Sequence, residues 1–176
     1  MKKFMTLLLM LALALTAVSA AYALPNPVTE ITDDDEFEDI LGIEFDADDL
    51  SPLDVAMSVI DNKIGQVTFA MENVNGESVD WLIRFTKDAE TAADLSLFSG
   101  IYDEAMSEPI VISQEVTEDG ETYTIEFTCV YAETENATIY TWQAGGVSYC
   151  VAALGEVSQM QLAALLDQVA EESIDD

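Results

Sequence analysis

The chain has 176 residues, and 35 acidic side chains against 5 basic ones give it a net charge of −30 with no histidine. That balance excludes nucleic-acid binding, which needs clustered Lys and Arg to neutralise phosphates, and argues against docking on an anionic membrane surface. The missing imidazole removes the usual general base, the usual zinc ligand and every Ser-His or Cys-His nucleophile, while a composition that is half apolar is too rich for a disordered acidic tail.

Lys2 and Lys3 precede an apolar run from Phe4 to Val18 that only Thr6 and Thr16 interrupt, and small residues follow it. These are the three parts of a secretory signal. Ala21-Tyr22-Ala23 fits the cleavage pattern, with Val18-Ser19-Ala20 as a close competitor. The run is short for a membrane-spanning helix, and no cysteine follows it for lipid attachment. The sequence therefore predicts a signal peptide over 1–23, removed on export, and a single soluble domain over 24–176, a typical domain length. Only Lys63, Arg84 and Lys87 offset the acids beyond the leader, so self-repulsion favours a monomer.

Pro25 and Pro27 make 24–32 an extended lead-in segment. Thr32 reads as the N-cap of a short helix whose first turn is acidic, with Phe37, Ile40 and Leu41 on one face and Gly42 closing it. An acidic connector over 44–54, broken by Pro52, leads into residues of period two. Strands are expected at 55–60, 64–72 and 77–86, with Asp61-Asn62 as the first turn. Placing Val67, Phe69 and Met71 on the face of Val79, Trp81, Ile83 and Phe85 fixes the register as Met71–Val79, Phe69–Trp81 and Val67–Ile83. The loop is then Val74-Asn75-Gly76, and Gln66 meets Arg84 on the solvent side.

Residues 88–107 read as irregular or weakly helical. A hairpin about Asp119-Gly120 follows, pairing Val116–Tyr123, Ile112–Phe127 and Ile110–Cys129, with Glu118 against Glu121 as a like-charge pair. Strands at 137–143 and 147–153 flank Ala144-Gly145-Gly146. Ser158 caps a final helix over 159–172 with Leu162, Leu165, Leu166 and Val169 as its apolar stripe. The fold class is α+β: an antiparallel sheet of about seven strands in hairpins or meanders, a short N-terminal helix and a longer C-terminal one, both on one side of the sheet.

Few constellations carry chemistry. Cys129 falls on the core face and Cys150 on the opposite one, so strand geometry favours two unpaired thiols over a disulfide. Calcium is the ligand that so many carboxylates invite, and Asp46, Asp48, Asp49 and Asp54 are the densest candidates. Ser51 and Met57 stand where an EF-hand needs Gly and Glu, so a solvated connector is the simpler reading. A carboxylate-only hydrolase would need a defined acid pair, and Trp81 and Trp142 lie in phase with core neighbours and not on a sugar-stacking face. Asn136-Ala137-Thr138 matches a glycosylation sequon without consequence in a bacterial type of export product. No catalytic residue and no cofactor-binding residue stands out.

Three stretches resemble an uncharacterised domain of exported Firmicutes proteins: Asn26-Pro27-Val28-Thr29-Glu30-Ile31-Thr32 with the acidic helix ending Leu41-Gly42, Ser58-Val59-Ile60-Asp61 with Ile64-Gly65-Gln66-Val67-Thr68-Phe69, and Trp142 with Gly146-Val147-Ser148-Tyr149. The resemblance covers nearly all of the chain beyond the leader and implies a secreted or surface α+β domain of a Gram-positive gut-type bacterium, with no assigned activity and no functional residues to carry over. The expectation is an exported, non-enzymatic domain that binds or scaffolds an unidentified protein or small-molecule partner through its sheet face or loops. A calcium-dependent binding module and a carboxylate-only hydrolase are the alternatives.

Overall fold

The computed structural model describes residues 27–47, 50, 54–92, 95, 107–118, 121–132 and 136–172. The expected leader, the Asp119-Gly120 turn and most of the middle segment lie outside the described residues. The elements in chain order are β1 (Val28–Ile31), α1 (Asp35–Leu41), β2 (Ala56–Ile60), β3 (Ile64–Glu72), β4 (Ser78–Thr86), β5 (Ile110–Glu118), β6 (Glu121–Ala132), β7 (Ala137–Ala144), β8 (Val147–Leu154) and α2 (Gln159–Glu172). All strands join one antiparallel sheet, so the α+β expectation holds with eight strands in place of about seven. The added strand is β1, which pairs with β2 from Val28–Ile60 to Ile31–Met57. Three of its four residues are exposed, so no hydrophobic alternation marked it as a strand.

The hairpins follow from local backbone chemistry. Asp61 and Asn62 both adopt positive φ, and Lys63 N–H donates to Ile60 O at 3.0 Å. The β3–β4 register is the one that the shared apolar face dictates, Met71–Val79, Phe69–Trp81 and Val67–Ile83. Its three-residue loop needs the left-handed φ of 78° that Gly76 supplies. Asn73 locks that loop: its Oδ1 accepts from Asn75 N–H and Glu77 N–H, and its Nδ2 donates to the Glu156 carbonyl near α2. The β5–β6 register also matches, including Glu118 opposite Glu121. In β7–β8, Ala144 belongs to the strand and the turn is Gly145-Gly146 alone.

The helix caps divide. Ser158 Oγ accepts from Gln161 N–H at 3.2 Å and Gln161 Oε1 accepts from Ser158 N–H, a reciprocal cap for α2. At α1 the N-cap is Asp34 and not Thr32; Glu36 Oε1 instead accepts from the Thr32 and Asp33 N–H groups. Gly42 closes α1 as expected, at φ 67°. Only Phe37 is fully buried on its apolar face; Ile40 is 38% exposed because so short a helix can turn one residue inward per face.

Strand order is β1-β2-β3-β4-β8-β7-β6-β5. Two four-stranded meanders are thus joined where β4 pairs with β8, and the chain leaves β4 for the far edge before winding back. Both helices cover one face, here called the front, together with Ile43, Phe45, Ala47 and Leu50 of the connector. An aromatic chain crosses the front core: Phe127–Trp142 at 5.0 Å between ring centroids, Trp142–Tyr149 at 5.2 Å, Tyr149–Phe85 at 6.3 Å, then Phe85 against Phe37 and Phe45. The back face holds a second, smaller cluster of Ile60, Ile64, Leu82, Leu95, Ala137, Ile139, Cys150 and Ala152. The central strands are therefore apolar on both faces, not only on the side that the helices cover, and Leu95 of the segment between β4 and β5 packs on them from behind. Among the described residues no helix is long and apolar enough to cross a membrane.

Gly65 shows how tightly the front is fitted. It pairs with Phe85, and a Cβ at Gly65 would lie 2.2 Å from Phe85 Cε2. Phe85 is fully buried among Phe37, Phe45 and Tyr149 and has no room to yield. Gly65→Ala is expected to lower unfolding free energy by about 1–3 kcal/mol through overpacking. Denaturant titration checks this as a lower midpoint at unchanged slope.

Candidate functional site

One row of back-face residues runs across the whole sheet in register: Glu30, Ser58, Gln66, Arg84, Cys150, Thr141, Thr128 and Val111. At its centre Arg84 is 0% exposed, which overturns the expected solvent-side meeting with Gln66. The pairing itself is correct, and Arg84 Nε donates to Gln66 Oε1 at 3.0 Å while Gln66 Nε2 donates to Ser58 Oγ at 3.3 Å. The Leu95 carbonyl accepts from Arg84 Nη1 at 3.4 Å, so the crossover segment both buries the guanidinium and helps to solvate it. Burying a charge is tolerable only when polar groups replace its water in this way.

Beyond Arg84 the row opens. A groove of about 860 Å³ lies on the back of β6, β7 and β8, bounded on one side by Ala92 and Leu95. Its floor is polar: Thr124, Glu126 and Thr128 from β6, Thr141 and Gln143 from β7, and Ser148 from β8. Gln143 Nε2 donates to Ser148 Oγ at 3.0 Å, which orients that amide across two strands. Trp142 and Tyr149 also border the groove, yet both are buried and stack on each other in the front core. The arrangement offers hydroxyl and amide hydrogen-bonding groups on rigid strands, with Glu126 as the one carboxylate among the lining residues. Alternation pointed to these positions only as outward-facing; the crossover that makes a wall beside them is a product of topology.

Of the four calcium candidates, Asp46 and Asp54 are among the described residues. Asp48 and Asp49 lie outside the described residues, and Asp54 is exposed. Asp46 instead lines a cavity of about 90 Å³ with Asp34, Asp35, Glu38, Glu44 and Phe45. Carboxylate oxygens of Asp33, Asp34 and Asp35 come within 4.8 Å of one another. Part of their capacity is taken internally: Asp34 Oδ2 accepts from Ala47 N–H at 3.0 Å and Asp33 Oδ1 from Asp35 N–H at 3.2 Å. Those bonds anchor the connector to α1, a structural task for the acids.

The three cations beyond the leader also have internal tasks. Lys63 Nζ forms a surface ion pair with Asp88 at 2.6 Å, which raises the lysine and lowers the aspartate from their ordinary values. Lys87 Nζ donates to the Gly42 carbonyl at the end of α1. Both cysteines are free thiols, on opposite faces with β7 between their strands, as the geometry predicted. Cys150 is fully buried beside Arg84; desolvation pushes its thiol up to about 12, and the opposing field of the guanidinium is the smaller effect. A desolvated thiol of this kind is neither a nucleophile nor a metal ligand.

Compared with known protein families, curated proteins and solved structures, the chain matches none.

Cys150 yields a pH prediction. The unfolded thiol ionises near 9.0 and the folded one near 12, so the unfolded state loses its proton first. This contribution to stability is complete below pH 9 and declines as pH rises toward 12. Cys150→Ala is expected to flatten the alkaline fall in the denaturation midpoint, and native Cys150 to resist alkylation at pH 8 until denaturant is added, as peptide mass mapping will show.

Proposed function

We propose that the protein is an exported, non-enzymatic binding module, in keeping with the secreted Firmicutes domain that its sequence resembles, and that it holds a polar, uncharged or cationic ligand in the back-face groove. The observation that carries this reading is the groove itself: about 860 Å³ floored by hydroxyl and amide side chains of three adjacent strands, in a chain of net charge −30. Side chains fixed on strands bind with little loss of conformational freedom. Hydrolysis by carboxylates alone needs an acid pair flanking one bond; the lining residues supply Glu126 only, and both tryptophans are buried in the front core. Secretion rests on the sequence of the leader.

Immobilised protein should retain a saturable component of culture medium or solubilised cell wall. Thr141→Arg, which fills the groove from its centre, should abolish retention, whereas Asn75→Arg in the exposed β3–β4 turn should not. Equal retention by both variants would remove the groove from the account.

The calcium reading has a separate check. Any divalent cation relieves repulsion among this many acids, so calcium and magnesium at equal ionic strength should raise the melting midpoint alike, within about 1 °C. A further rise specific to calcium would mark a bound ion and reinstate that alternative.

A further inference from the structure

We propose that the outer edge of β5 receives an extended basic peptide as a ninth strand of the sheet. The two edges of this sheet are built differently. The β1 edge is four residues long and follows Pro27, two of the ordinary devices that keep an edge from pairing. The β5 edge is nine residues long and pairs with β6 without a bulge from Ile110–Cys129 to Glu118–Glu121. It contains no Lys, Arg or Pro, and among the described residues no strand lies beyond it. Ile110 and Val111 are each 62% exposed and Ile112 is 42% exposed, three consecutive apolar side chains on both faces of an edge. A long, regular, apolar edge with free N–H and C=O groups is a template for strand addition.

Charge selects the occupant. Glu108 is exposed just before β5 and Glu115 within it, Glu126 lies on the neighbouring strand, and α2 sets Asp167 against Gln114 on the front. Neither β5, β6 nor α2 contains a basic residue. A second copy would bring the same carboxylates and a further net charge of −30 to the seam, and like charges opposite each other destabilise strand pairs. The matching strand therefore has apolar side chains against Ile110, Val111 and Ile112 and Lys or Arg beside Glu115. Of the residues named for this site only Glu126 also lines the back-face groove, and the test does not depend on that reading.

The test titrates the protein with a fluorescein-labelled peptide of β5's length that alternates valine and lysine. The expected result is saturable binding of one peptide per chain, with slowed amide hydrogen exchange confined to β5. A control peptide with a central proline keeps the charge but cannot pair, and should not bind. Each peptide lysine replaced by glutamine should weaken binding by up to about fivefold. Val111→Lys changes an exposed side chain and should abolish binding with the melting midpoint retained. Equal binding of the proline peptide, exchange protection outside β5, or a dimer of the free protein that Val111→Lys dissolves would each overturn the proposal.

Discussion

Two four-stranded meanders share a single hydrogen-bonded seam among the described residues, the pairing of β4 with β8 from Asp80–Leu154 to Thr86–Ser148. Everything placed on either face depends on it. On the front, Phe85 of one meander touches Tyr149 of the other and so links the aromatic groups of both halves. On the back, Leu82 and Arg84 meet Cys150 and Ala152 under Leu95. The apolar content of these two strands is what drives the seam, since each residue pair removes surface on both sides of the sheet at about 25 cal/mol per Å² of apolar area.

Ala92 and Leu95, which follow β4, stand on the back face between a buried region around Arg84 and the polar floor of the groove. Under Leu95, an arginine is dehydrated between Gln66 and a main-chain carbonyl, and a thiol beside it is held neutral. Beyond Leu95, Thr, Ser and Gln side chains form the groove floor. Leu95 thus belongs both to the cover over Arg84 and to the wall of the groove. The acids are mostly dispersed over the exterior, where they set the long-range field more than any local bond, while Asp33, Asp34 and Glu36 act locally on the backbone around α1.

Much of this fold was readable from residues close in sequence. Alternation gave the β3–β4 register and the Asp119-Gly120 pair that of β5–β6, since a slip of one residue would turn Phe69 or Phe127 out of the core, whereas for β7–β8 the strands were legible and the turn was one residue too long. The α2 stripe and its Ser158 cap were equally plain. β1 was not, because a mostly exposed edge strand has no period to detect. Arg84 was misplaced because a charged residue in an alternating strand looks solvent-facing until a distant segment covers it. The groove was hidden for the same reason: its floor comes from three strands and its wall from a fourth part of the chain. Of the acids singled out for calcium, Asp46 lies in a cluster whose other acids come from the α1 region (Asp34, Asp35 and Glu38) and from Glu44 beside it, a set that spacing along the connector does not reveal.

The seam also sets an order of events for a chain that emerges N-terminus first. β4 is buried on both sides in the finished protein, yet its partner is the last strand to be made, and Thr86 must wait for Ser148. Long-range pairing of this kind slows folding. Until β8 arrives, the first meander ends in a strand whose Trp81, Leu82, Ile83 and Phe85 have β3 on one side and lack their partner strand on the other, and a truncated product would keep that edge open indefinitely. Abundant negative charge on the same nascent half keeps such half-made chains apart while they wait.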